Sequence, residues 1–227
     1  MLLNIDAGEL ADEPAELWRL ADIVNVACGG HAGDEESMAR VVDGVHGART
    51  RVGAHPSYLD REGFGRRSLE VDVLTLSRQV AQQCWLLEAI ARERGAAIAA
   101  VKPHGALYWD AAASVAKAAA IVAEAQRLGA AVIGPARGVL RDVAGARGVA
   151  YWREGFADRA LRADGSLVPR TEPGALVTDP AACAVRAGEL VASGDVETIC
   201  VHGDTPGALA IARAVREVLD RAAAPPR

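Results

Sequence analysis

Aromatic side chains are scarce in this chain of 227 residues: two Phe, three Tyr and four Trp amount to 4% of it. Its core must therefore be built mainly from Ala, Val, Leu and Ile. No apolar stretch approaches the ~18 residues that a membrane-spanning helix needs, which argues against an integral membrane protein. The start, Met1-Leu2-Leu3-Asn4-Ile5-Asp6, lacks the basic lead and long apolar segment of a secretory signal and reads as the first strand of a cytoplasmic protein. Cysteines are few and scattered, at positions 28, 84, 183 and 200, without the close pairs of a structural zinc site or a disulfide framework, so reduced, buried thiols are expected. An excess of basic charge is missing too. With 25 Lys and Arg against 30 Asp and Glu, a formal net charge of −5 and no basic block, nucleic acid is not the expected partner.

The 51% of apolar and 24% of charged residues suit an ordinary globular domain. Short β-like runs near 2–6, 23–28, 51–54, 98–102, 131–134, 149–152 and 197–202 alternate with longer helical stretches, the pattern of parallel strands joined by crossover helices. This predicts a single α/β domain over 1–221 with a disordered tail at 222–227. Asp34, Asp179 and Thr205 are predicted to cap helices, the last two immediately before Pro180 and Pro206. Leu76, Val80, Cys84, Leu87 and Ala91 form an apolar stripe at three- and four-residue spacing, and the Ala-rich stretch from Ala111 to Leu128 behaves similarly. Periodicity leaves open whether the strands close into a barrel or form an open sheet. In both, ligands bind at the carboxyl ends of the strands.

Four of the five histidines fall at such ends: His31, His55, His104 and His202. Histidine serves both proton transfer near neutral pH and metal ligation, so four of them point to one shared site. His46 sits in a predicted helix and reads as a surface or packing residue. The first strand delivers Asn4, Asp6 and Glu9; Asp6 reads as a general base, a metal ligand or a turn cap. The turn from Asn25 through Gly29 to His31 can bring backbone amides close to an anion, or can simply be a turn, and Cys28 within it reads as a packing residue. The loop from Gly53 to Arg67 gathers a His, a Tyr and three arginines, of which Arg66 and Arg67 suit a carboxylate or phosphate. Lys102 and His104, two apart, share a side of an extended chain. The span from Glu154 through Arg159, Asp164, Gly165 and Arg170 to Thr178 is long enough for a lid or binding loop. His202 and Asp204 close the series.

The blocks Asn25 to Asp34, Gly53 to Arg67, Val101 to Tyr108, Glu154 to Arg170 and Thr198 to Ala208, in this order, resemble the LamB/YcsF family, whose members are A subunits of bacterial 5-oxoprolinase. The resemblance implies a seven-stranded parallel β/α barrel, TIM-like and related to the glycoside hydrolase and sugar deacetylase barrels. It implies ATP-dependent, Mg²⁺-assisted opening of 5-oxoproline or a similar small lactam to L-glutamate, together with subunits B and C. Relative to the family's usual pattern, Glu9 is followed by a short Leu10 to Leu20 segment, and Gly30, Trp109 and Leu161 replace the usual residues. On this reading Asp6, His55, Lys102, His104, His202 and Asp204 carry the reaction. Asn25, Gly29, His31, Arg66, Arg67, Tyr108, Arg159 and Arg170 bind substrate or phosphate. No Walker-type Gly-Lys-Thr motif marks a nucleotide site. Two alternatives stay open: a metal-dependent deacetylase or amidohydrolase holding a divalent metal on Asp6, His55 and His104, and a non-catalytic substrate-binding subunit. The residue pattern also leaves homo-oligomer formation open.

Overall fold

A computed structural model describes residues 1–162 and 166–224 of the chain. Seven parallel strands close into a barrel, each pairing with its neighbours in sequence and β1 with β7. They are β1 (Leu2–Ala7), β2 (Ile23–Ala27), β3 (Arg51–His55), β4 (Ile98–Val101), β5 (Ala131–Pro135), β6 (Tyr151–Phe156) and β7 (Thr198–His202). The helices outside the barrel are α1 (Ala15–Leu20), α2 (Glu35–Val45), α3 (Val73–Glu93), α4 (Gly105–Ala113), α5 (Val115–Leu128), α6 (Val139–Ala146), α7 (Pro180–Ser193) and α8 (Ala208–Ala223). No single described helix is long and apolar enough to cross a membrane.

Alternation along the strands divides two interiors. Leu3, Ile5, Val24, Val26, Val52 and Val201 face outward into the main apolar core beneath the helices, where the α3 stripe of Leu76, Val80, Cys84, Leu87 and Ala91 is buried. Inside the barrel, Ile23, Ala100 and Ile133, with Leu2 and Trp152 packed against them, form a separate apolar floor at the strands' amino ends. Polar residues fill the lumen above it.

Four local differences from the sequence reading have physical causes. The sixth strand runs to Phe156 rather than ending at 152. Arg153 and Glu154 look like the start of a loop, but Arg153 pairs outside with Glu197 while Glu154 turns into the lumen and meets Lys102 at 2.9 Å. The Ala-rich stretch is two helices, bent by 113° at Ser114, whose hydroxyl caps the second. Asp34 and Asp179 do cap α2 and α7, yet Thr205 does not cap α8: its hydroxyl donates to Asp158 at 2.6 Å, and Gly207 takes the N-cap position. Finally, Ala222 and Ala223, read as tail, belong to α8; residues 225–227 lie outside the described residues.

Candidate active site

At the barrel mouth lies a cavity of about 690 Å³ lined by Asp6, His55, Lys102, His104 and His202, with Arg66, Arg159 and Arg170 at its rim. Its base is a buried charge network. Lys102 Nζ meets Asp6 Oδ1 at 2.8 Å, Asp6 Oδ2 at 3.1 Å and Glu154 Oε1 at 2.9 Å. Burial is the strongest single influence on Lys102 and opposes its charge, but Asp6, Cys200 and Glu154 together hold its pKa well above the usual lysine value. Burial likewise opposes ionisation of Asp6, and His55 and Lys102 outweigh it, so Asp6 stays an anion. Asn25 donates to Asn4 at 2.8 Å and to Asp6 at 2.9 Å, which makes it a support for Asp6 rather than part of the cavity wall.

Beside this network, Glu9, His31, His55 and His104 bring ligand-capable atoms within 4.8 Å of one another. Backbone carbonyls settle two tautomers, because a carbonyl only accepts. His55 Nδ1 donates to Lys102 O at 2.8 Å, and His104 Nε2 donates to Phe64 O at 2.9 Å. The remaining nitrogens, His55 Nε2 and His104 Nδ1, face each other at 3.0 Å. Glu9 Oε1 lies 3.3 Å from His104 Nδ1 and 3.0 Å from His31 Nε2. His31 stacks flat on His104 at 3.6 Å, and its Nδ1 is buried without a partner. Burial and the neighbouring imidazoles lower the pKa of both His31 and His104, keeping them neutral, while burial and then Asp204 raise that of Glu9. Three imidazole nitrogens and a carboxyl oxygen converging in this way fit a divalent cation. Of the three ligands expected from sequence, His55 and His104 belong to this group. Asp6 Oδ2 lies 3.4 Å from His55 Nε2 and converges with Cys200 and His202 in a second group.

His202 is oriented separately. Its Nδ1 lies 2.9 Å from Asp158 Oδ1, and its backbone amide donates to Asp158 Oδ2 at 3.0 Å. Burial works against the Asp158 charge, but His202 and Thr205 outweigh it and lower the pKa. Nδ1 faces this carboxylate, and Nε2 faces the cavity, 3.9 Å from Asp6 Oδ2.

The other expected residues divide. Asp204 bridges Arg66 at 2.6 Å and Arg170 at 2.7 Å, so it is engaged at the rim and does not line the cavity wall. Arg67 is held by Asp60 and is more than half exposed, and Tyr108 lines the cavity with its hydroxyl buried toward Glu154. Gly29 is not brought to the cavity. Its amide donates to Ala32 O, Arg61 clamps the carbonyls of Gly29 and Gly33, and the Asp34 carboxylate already occupies the start of α2. Cys28 is buried and its pKa pushed up to about 12, so it remains a thiol. Asp164 and Gly165 of the long loop lie outside the described residues. Sequence reasoning named Glu9 without a role and missed Glu13 and Asp158. Glu13 accepts the amides of Gly8, Glu9 and Leu10 and the Trp18 indole N–H, shaping the turn that presents Glu9. The local signal for it is a carboxylate five residues beyond Gly8, within reach of that glycine's turn.

The pattern of the LamB/YcsF family matches residues 2–225. The 5-oxoprolinase A subunit of Mycobacterium avium (strain 104) is 45% identical over 238 residues, covering 96% of this chain and 94% of its own. The protein of the same name from Streptomyces coelicolor is 42% identical over 240 residues, covering 97% and 96%. Among solved structures, a lactam utilization protein from Thermus thermophilus superposes with a TM-score of 0.86 at 33% identity, covering 98% of this chain and 96% of that one. A family 4 carbohydrate esterase from Streptomyces lividans, covered to 88% with 97% of this chain, shares the fold alone, with a TM-score of 0.53 at 13% identity.

Proposed function

The chain belongs to the LamB/YcsF family, and from that premise we propose that it is the A subunit of a 5-oxoprolinase, opening 5-oxoproline to L-glutamate with ATP and Mg²⁺ in company with subunits B and C. The observation that carries this reading is the identity to proteins of that name along nearly the whole chain. The cavity adds a chemical rationale. A lactam resists water at neutral pH, and transfer of the ATP γ-phosphoryl group to the lactam oxygen makes the ring carbon electrophilic. Water then adds to that carbon with His202 Nε2 taking its proton, as the buried carboxylate of Asp158 stabilises the imidazolium. The ring C–N bond breaks as His202 returns the proton to nitrogen, and a second water releases phosphate, so one lactam, one ATP and two waters give glutamate, ADP and phosphate. Lys102, held charged by Asp6 and Glu154, can face the negative charge of the phosphoryl group on the substrate oxygen. The rim arginines hold the anionic groups of the reactants.

The convergence of Glu9, His31, His55 and His104 favours a second reading, a metal-dependent amidohydrolase or deacetylase on the same barrel. These residues would hold a divalent cation, which when bound supplies Lewis acidity and a more acidic water. Glutamate release from 5-oxoproline and ATP, measured with and without the B and C partners, tests the first reading. His202→Ala and Asp158→Asn are expected to abolish or sharply lower that release while the complex still assembles. Full ATP-dependent activity in chelator-stripped protein given Mg²⁺ alone would sink the proposed ligand set.

A further inference from the structure

Among the described residues, one cation in the cavity has no carboxylate within ion-pair reach. Arg159 is only 6% exposed, yet its guanidinium reaches only backbone carbonyls: Nε donates to Ala175 O at 3.4 Å and Nη2 to Val168 O at 2.7 Å. The adjacent carboxylate, Asp158, is turned away toward His202 and Thr205. Arg66 and Arg170 at the same rim share the single carboxylate of Asp204. Removing a guanidinium from water without an opposite charge is costly. Burial, and then the nearby Arg170, accordingly draw the Arg159 pKa down to about 10. Tyr108, Trp109, Phe156 and Leu167 line the same cavity, an apolar cluster suited to ring methylenes.

We infer that Arg159 receives the carboxylate of the substrate, so that the site selects small lactams bearing a carboxylate beside the ring nitrogen. This rests on the 5-oxoproline reading and adds the residue that reads the acid group. One planar guanidinium matches the two oxygens of a carboxylate. A phosphoryl group calls for more donors, and the two neighbouring arginines already share Asp204.

Calorimetric titration of the full chain with 5-oxoproline and with 2-pyrrolidinone, the same ring without its carboxylate, tests the assignment. Arg159→Gln is expected to weaken 5-oxoproline by about 10- to 150-fold, the range for losing a charged hydrogen bond. It should leave 2-pyrrolidinone binding unchanged, and Arg159→Lys should restore part of the loss. Equal weakening of both ligands, or of neither, overturns the inference. Inorganic phosphate that competes with 5-oxoproline on the parent chain but not on Arg159→Gln assigns the residue to a phosphoryl group and overturns it too. If the parent releases glutamate in the complex yet binds no 5-oxoproline itself, this inference fails while the functional reading stands; if it does neither, the functional reading itself fails.

Discussion

Glu13 accepts four hydrogen bonds although it touches neither cavity nor histidine cluster: three come from the successive amides of residues 8–10, at 2.8, 2.9 and 2.9 Å, and one from Trp18 at 3.0 Å. Its work is to hold the turn that aims Glu9 at His31 and His104. Glu13→Ala leaves those donors unpaired and is expected to cost about 2–3 kcal/mol, more than one ordinary hydrogen bond. Urea midpoints will show that cost, and on the metal-binding reading elemental analysis should find divalent-metal content falling with it. Such a role is invisible in sequence, because the partners are backbone amides whose directions depend on a turn not yet folded. His31, His55, His104 and His202 were legible because each follows an apolar run and precedes a polar turn. Asp158 was not, since its link to His202 joins loops after β6 and β7, and sequence does not tell which loops meet.

Two loops meet backbone to backbone at the mouth. Gly105 opens α4 with φ +58°, and a Cβ there would lie 2.3 Å from Gly65 O, which also accepts the Ala106 amide at 2.9 Å. Gly105→Ala is expected to cost about 1–3 kcal/mol through backbone strain and to lower kcat by displacing His104. Gly188→Ala in α7, where an added methyl meets nothing within 4 Å, is the control and should be neutral or stabilising by about 0.5–1 kcal/mol. The loop after β3 is also tied to α4 through Asp110, which accepts from Tyr58 at 2.6 Å, Ser68 at 2.9 Å and Lys117 at 2.9 Å. Burial raises the Asp110 pKa, but these partners outweigh it and the net shift is downward. A depressed folded-state pKa gives stability that is present above the unfolded value, about 3.9, and is lost as pH falls below it. Denaturant midpoints of Asp110→Asn should therefore fall less steeply than those of the parent between pH 5 and pH 3 (about one unit either side of the unfolded value). At this scale the alternation of strands and helices was plain from periodicity. The bend at Ser114 and the extension of β6 to Phe156 were not: a capping serine inside an Ala-rich run leaves its pattern unchanged, and Glu154 joins the strand because Lys102 meets it in the lumen.

The barrel as a whole keeps Lys102, Asp6 and Glu154 in contact in a lumen that alternation alone would fill with aliphatic side chains. Removing the cation strands two buried carboxylates. Lys102→Met is expected to destabilise by about 3–5 kcal/mol and to abolish turnover, with chemical denaturation separating the two effects. Closure was left open by the periodicity and follows from the β1–β7 pairing, in which Asp6 stands opposite His202. Among the described residues, the apolar floor of Leu2, Ile23, Ala100, Ile133 and Trp152 closes the lumen at the strands' amino ends. On the 5-oxoproline reading, product and substrate therefore share one place beneath the mouth. Added glutamate should raise the apparent KM for 5-oxoproline and leave kcat unchanged; inhibition that instead lowers kcat would show that glutamate binds away from the lactam's place.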